Sequence, residues 1–271
     1  MPVKAHTATF RFYEELNDFL PPAKRKVEFP YAFAGSPSVK DAIEAIGVPH
    51  PEVDLILANG APAGFDYHLR DGDRVSVYPV FESLDISGVT RLRPEPLREI
   101  RFILDGHLGR LAKYLRMLGF DTAYNHAITD HEIVRIGTEE HRIILTRDRG
   151  LLKHGSVTHG YLVRSSHPLE QAAEVIRRFD LAGRTCPFRR CMVCNGIIEE
   201  VSKESVRETL KPRTAVFYER FFRCRSCGQV YWRGSHFERM ERIIRGLNVA
   251  GGLSQAGSPK ADPEAGRGCQ S

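Results

Sequence analysis

Two apolar runs that each end in an aspartate set the strongest limit on what this chain can fold into. Arg101-Phe-Ile-Leu-Asp105 and Ile143-Ile-Leu-Thr-Arg-Asp148 open and close the stretch 100–148. Short runs rich in Ile, Leu and Phe read as strands buried on both faces, the condition of a parallel sheet covered by helices. Side chains just past the carboxyl ends of such strands face the ligand crevice. A carboxylate at each end points to a metal or phosphate site, or else to a polar exit that caps the next helix.

The intervening residues fit that fold. From His107 to Leu118 the spacing predicts a helix with Leu108, Leu111, Leu115 and Leu118 inward, Arg110, Lys113 and Arg116 together on another face, and Gly119 as its cap. A short strand is expected at 120–124. Thr129-Asp-His-Glu132 is a capping-box signature for a helix through Glu139. A strand at 142–146, a helical turn near Leu151, a strand Gly160-Tyr-Leu-Val163 and a helix at 168–179 follow. Strands alternating with helices predict an α/β domain with a doubly wound parallel sheet over residues 100–183.

Ahead of it lies a different pattern. His6, Ala8, Phe10 and Phe12 alternate with polar residues as in a half-buried strand, and a second strand is expected around Val27 and Phe29. Pro37 suits the first turn of a helix that places Val39, Ala42, Ile43 and Ile46 on one face and stops at Gly47. A strand from Val53 meets the tight-turn pair Asn59-Gly60, and Val75 and Val77 mark a last strand. This order, with Leu57-Ala-Asn-Gly60 and Asp71-Gly-Asp-Arg-Val75, resembles the β-grasp, ubiquitin-like fold of the sulfur carriers of thiamine and molybdopterin synthesis. Those carriers act through a free Gly-Gly end, whereas here the chain continues. Residues 1–84 are therefore expected to form a docking or support module, followed by a linker at 85–99.

Six cysteines among 271 residues, four of them in two C-x-x-C pairs, read as metal ligands in a reducing compartment. Cys191-Met-Val-Cys194 and Cys224-Arg-Ser-Cys227 are separated by 29 residues, a spacing expected of two knuckles that share a tetrahedral zinc ion. Cys186 has the wrong spacing for a knuckle. Four thiolates would fill every position, so the zinc is expected to be structural. The expected ribbon, 184–246, precedes a disordered tail at 247–271.

Charge is uneven. Residues 184–245 hold 14 Lys plus Arg against 7 Asp plus Glu, although the whole chain carries only +5. Here Tyr218, Phe221, Phe222, Tyr231 and Trp232 are interleaved with Arg220, Arg223, Arg225 and Arg233, a composition that can stack on unpaired bases and follow their phosphates, with about half of the aromatics expected in the ribbon core. No run reaches the length of a membrane span and the start has no signal-peptide core, so the expected location is the cytoplasm.

Phe102-Ile-Leu-Asp-Gly-His-Leu-Gly-Arg-Leu-Ala-Lys-Tyr-Leu-Arg-Met-Leu-Gly-Phe-Asp121, with Leu145-Thr-Arg-Asp148, resembles the Mut-seven carboxy-terminal RNase family over residues 100–244. The family joins a PIN-like domain to a zinc ribbon, often behind a ubiquitin-like domain. The resemblance implies a metal-dependent ribonuclease whose Asp105, Asp130 and Asp148 hold Mg²⁺ or Mn²⁺ and whose products carry 5'-phosphates. Clustered carboxylates need such a cation, and oxygen donors favour hard ions. One departure is Arg164, where PIN domains commonly place a fourth acid, so one or two metals remain open. Arg110, Lys113, Arg147 and Arg164 are candidate phosphate contacts, and Arg225, Trp232, Arg233 and His236 candidate RNA contacts on the ribbon. The expected partners are RNA and a protein bound by the β-grasp domain, with no membrane and with pairing of two copies left open. The rival readings are a non-catalytic RNA-binding or adaptor protein and a sulfur-transfer accessory.

Overall fold

The computed structural model describes residues 5–79 and 100–250, so the expected linker at 85–99 and the tail from Gly251 onward lie outside the described residues. The chain divides into two compact units, Met1–Glu99 with Asp130–Leu162, and Ile100–Thr129 with Val163–Ser271.

In the first unit, β1 (Ala5–Phe12), β2 (Phe29–Ala34), β3 (Val53–Ala58), β4 (Ala61–Ala63) and β5 (Arg74–Pro79) form a sheet of order β2-β1-β5-β3-β4. β1 runs antiparallel to β2 but parallel to β5, which gives the β-grasp its mixed sheet. Alternation works as expected: Ala8, Phe10 and Phe12 are buried with Val39, Ala42 and Ile43 of α1 (Val39–Ile46). Ser38, rather than a residue before Pro37, caps α1 by accepting the Asp41 N–H at 3.1 Å. β2 begins only at Phe29, the later of the two residues that mark it in the sequence, and extends to Ala34, leaving Val27 46% exposed. Alanine and proline within Phe-Pro-Tyr-Ala-Phe-Ala hide its period of two, although Phe29 and Phe33 still point inward.

The two motifs of the β-grasp resemblance meet at one buried carboxylate. Asn59 and Gly60 both take positive φ, 52° and 83°, and close the β3–β4 hairpin with two residues. Asp73 then accepts from Asn59 Nδ2 at 2.8 Å, Tyr67 hydroxyl at 2.9 Å and the Arg70 N–H at 2.8 Å. Those residues thus secure a turn.

The first unit also contains α3 (Asp130–Glu139), the fully buried β8 (Ile143–Thr146), the single turn α4 (Arg149–Leu152) and β9 (Gly160–Leu162), with β8 and β9 parallel. The second unit contains β6 (Arg101–Leu104), α2 (Gly109–Met117) and β7 (Asp121–Tyr124), again with parallel strands. Both strand pairs, β6–β7 and β8–β9, are parallel, as an α/β sheet requires. α5 (Pro168–Arg178) packs on α2 and on α7 (Ser235–Ala250). An antiparallel sheet of β10 (Ile198–Val201), β11 (Phe221–Cys224) and β12 (Val230–Trp232) makes the ribbon, with α6 (Pro212–Phe217) in the loop between its first two strands. α7 stays helical past Gly246, with Leu247 buried, so the ordered chain continues beyond the expected end of the ribbon.

Leu108, Leu111, Leu115 and Leu118 are all buried, as their spacing predicts. Arg116 is not on the surface face with Arg110 and Lys113; it is 4% exposed. The helix itself begins at Gly109, after a separate turn at Gly106–Leu108. A Cβ on Gly109 would stand 2.5 Å from the Tyr124 hydroxyl, which donates to the Gly106 carbonyl at 3.0 Å. Gly109→Ala is therefore expected to lower stability by about 1–3 kcal/mol in urea unfolding. Gly155→Ala, which meets nothing within 4 Å, should stay within about 0.5 kcal/mol of the parent.

Candidate metal centre and strand-end acids

The two C-x-x-C pairs fold as near copies. The N–H of Asn195 donates to the Cys191 carbonyl at 2.8 Å, and the N–H of Gly228 to the Cys224 carbonyl at 3.0 Å. Asn195 and Gly228 both sit in the left-handed region, φ 70° and 75°, where Asn and Gly are the residues that fit most readily. One residue further on, the carbonyls of Gly196 and Gln229 accept the N–H groups of Cys191 and Cys224 at 2.8 and 3.0 Å. Each knuckle is thus closed before any ion is considered.

These turns bring four sulfurs together, all within 4.8 Å of one another, with Cys191–Cys227 at 3.6 Å and Cys194–Cys224 at 3.4 Å. Tetrahedral Zn–S bonds of ~2.3 Å set sulfurs about 3.8 Å apart, so the donor set fits zinc. Gly196 is required by packing: a Cβ there would stand 2.9 Å from the Cys224 sulfur. Burial pushes the Cys191 thiol up, but hydrogen bonds from the Tyr231 hydroxyl and from the Cys194 and Val193 main chain outweigh it and draw the thiol down to about 7. Burial and the neighbouring sulfurs push Cys194 up to about 12, against the Gly196 N–H. Accumulating thiolate charge opposes itself here, and a cation relieves it. With four sulfurs filling four positions, the ion would have no place for substrate.

Residues beyond the cysteines anchor the first knuckle. Arg116 Nη1 donates to the carbonyls of Val193 at 2.9 Å and Met192 at 3.3 Å, and its Nε to that of Thr122 at 2.9 Å. Burial lowers this guanidinium from its ordinary value, while Cys194, Cys191 and Asp121 act in the opposite sense. Asn195 accepts the Thr122 N–H at 3.0 Å and donates to Asp121 at 2.8 Å, and Arg190 pairs with Asp121 at 3.1 Å. Sequence reasoning missed Arg116, Asn195 and Tyr231. Only the asparagine directly after Cys194 was a usable signal, because a left-handed turn favours it.

Around the ribbon Phe221 is buried, Tyr218, Phe222 and Tyr231 are half-buried and Trp232 is exposed, fewer buried rings than expected. Tyr218 and Trp232 lie 6.4 Å apart between ring centres. Arg233 stands over Phe237 at 5.2 Å, Arg225 pairs with Glu199 at 2.5 Å, and His236 is exposed at the start of α7. One aromatic was missed: Phe217 at the end of α6 is 75% exposed beside Val216 at 74%, in the run Lys211-Pro-Arg-Thr-Ala-Val-Phe217.

Both strand-end aspartates cap the helical turn that follows. Asp105, buried, accepts the His107 N–H at 2.8 Å. Asp148, exposed, accepts the Gly150 N–H at 2.7 Å, while its own N–H donates to the Thr146 hydroxyl at 2.9 Å. Asp130 is exposed as the first residue of α3. Asp105 belongs to one compact unit, Asp130 and Asp148 to the other. Arg110 and Lys113 are exposed on α2, and Arg147 is exposed beyond β8. The N–H groups of Arg164 and Ser165 donate to the two carboxylate oxygens of Glu174 at 2.8 and 2.9 Å, so this acid of α5 is engaged by main chain.

Among the described residues no helix is long and apolar enough to cross a membrane. The purified protein is expected to carry about one zinc per chain by elemental analysis, and Cys224→Ser to lose it together with the ribbon's share of thermal stability. No curated protein and no solved structure gives a significant match. The Mut7-C RNAse domain matches residues 100–244 and Mut7-C ubiquitin matches residues 5–85. With more than half of its length inside the first match, and with the mixed sheet and four-sulfur cluster in place, the chain belongs to the Mut7-C RNase family.

Proposed function

We propose that this chain is a metal-dependent ribonuclease that hydrolyses RNA phosphodiester bonds, with Asp105, Asp130 and Asp148 as the ligands of Mg²⁺ or Mn²⁺. One observation carries the reading: within the RNase match, two strands, each paired in parallel with its own neighbour, are each followed by an aspartate that caps the next helical turn. A carboxylate has two oxygens, so capping and metal ligation are compatible. The donor set is all oxygen, which suits a hard divalent ion. Such an ion would polarise the scissile phosphate and make its bound water a better nucleophile.

The cations supply substrate binding. Arg110 and Lys113 on α2, with Arg147 and Arg164, are assigned to phosphates. On the ribbon, Trp232, Arg225, Arg233 and His236, now with Phe217, are assigned to single-stranded RNA. The Arg225–Glu199 pair is exposed, and exposed pairs are weak enough to exchange for phosphate. The non-catalytic RNA-binding reading draws on one observation, the engagement of Glu174 by main chain beside Arg164, where a fourth acid is common.

Asparagine caps helices as well as aspartate does, so Asp148→Asn keeps the α4 cap while weakening metal ligation. The variant is expected to lose Mn²⁺-dependent cleavage of single-stranded RNA by about 100-fold or more with an unchanged melting curve. Cleavage at the parental rate would sink the assignment. Salt-sensitive RNA binding by the parent with no cleavage under any divalent ion would establish the adaptor reading instead. Replacing Phe217 and Trp232 together by Ala should weaken RNA binding about tenfold or more in a filter or anisotropy assay, from loss of stacking.

A further inference from the structure

The Pro49-His-Pro-Glu52 turn and the end of α1 make contacts to the segment that follows Asp148, across sequence separations of 107 to 110 residues. All of these lie inside one compact unit. Glu52 is fully buried, and its carboxylate accepts the N–H of Leu162, the last residue of β9, at 2.5 Å. His50, also buried, reaches the Val157 carbonyl through Nε2 at 2.7 Å, while its Nδ1 lies 2.6 Å from the Glu44 carboxyl. Lys153, at the C-cap of α4, donates to the main-chain carbonyl of Glu44 at 2.8 Å, in the last turn of α1, where carbonyls favour a cation. Arg149 lies over the Phe19 ring at 5.2 Å.

We infer that the ubiquitin-like domain works in cis as a positioning element for the Asp148 turn, with Glu52, His50 and the end of α1 gripping residues 149–162. Burying a carboxylate is costly unless it is hydrogen-bonded, so a fully buried Glu52 on a surface turn of a free-standing module would be strongly disfavoured. Pro49 and Pro51 hold the backbone of that turn near one φ, which presents His50 and Glu52 together. The other side of the grip needs it. α4 is one turn of four residues, far too short to hold its own conformation, so the aspartate that caps it is only as fixed as the contacts made to Arg149, Lys153, Val157 and Leu162.

That Asp148 is the beneficiary rests on the ribonuclease reading, whereas the grip does not. The test uses the full chain and its Glu52→Leu, Glu52→Gln and Lys153→Met variants. Amide hydrogen exchange is read over 149–162 and over the ribbon, with kcat and KM for Mn²⁺-dependent cleavage of a single-stranded RNA. Glu52→Leu and Lys153→Met should speed exchange in 149–162 about tenfold without changing the ribbon. They should lower kcat about tenfold and leave KM within about twofold, because geometry at the reacting centre and not RNA binding is affected. Glu52→Gln keeps the acceptor and should restore both readouts. Unchanged exchange in both disruptive variants overturns the grip, and faster exchange with unchanged kcat overturns the positioning role. A parent without metal-dependent cleavage overturns the ribonuclease reading, and the exchange arm then still decides the grip.

Discussion

A single buried guanidinium joins the two kinds of structure in the RNase half of this chain. Arg116 rises from the middle of an otherwise apolar helix face and ends against three main-chain carbonyls, one of β7 and two of the first knuckle. A charge at 4% exposure is tolerable only when its donors are met and opposite charge is near. Both conditions are met jointly by β7 and the first knuckle, whose Asp121 carboxylate and cysteine sulfurs favour the cation. Dependence is mutual: the carbonyls of Met192 and Val193 lie within the C-x-x-C turn, so the same contact that satisfies Arg116 holds the cysteines in ligating geometry. Zinc in this arrangement would stabilise α2 and β7 together with the ribbon rather than a detachable finger.

Local chemistry was legible in the sequence, and long-range chemistry was not. Alternation marked Ala8, Phe10 and Phe12, heptad-like spacing marked the four buried leucines in and beside α2, and the Asn59-Gly60 pair marked its hairpin, because each signal is a property of neighbours. The cysteine spacing likewise named its own ligands. Arg116 reads as a surface cation because its period matches Arg110 and Lys113; only the carbonyls of residues 192 and 193, far along the chain, reveal why it is buried. Phe217 went unseen for the complementary reason, since an aromatic near a ribbon is expected in its core and here is three-quarters exposed. Pro49-His-Pro-Glu52 looks like an ordinary loop until residues 153–162 are beside it.

The same contrast separates the two sides of the ubiquitin-like domain. Its Asp71-Gly-Asp motif, shared in wording with sulfur carriers, serves to tie Asp73 to the Asn59 hairpin and to Tyr67. Such a use needs no free carboxyl terminus and carries no transfer chemistry. The side bearing α1 and the proline-flanked turn is occupied by the chain itself. Among the described residues the other face of the sheet carries a groove of about 460 Å³ lined by Thr9, Arg11, Arg74 and Ser76 and partly neutralised by the Glu28–Arg74 pair. Fold likeness to a carrier is therefore compatible with a fixed intramolecular role.

The strand-end aspartates pose the sharpest question of cause. Each does cap the turn after its strand, so a structural reason for a polar residue at those places is present. Yet a cap asks only for a short side chain with an acceptor oxygen, and serine and asparagine meet that demand as well as aspartate does. The cap explains why a polar residue stands at each strand end but does not by itself select a carboxylate over a neutral acceptor. A carboxylate just past the carboxyl end of a strand is what the proposed cation-dependent phosphodiesterase would use, and a cap alone does not call for one.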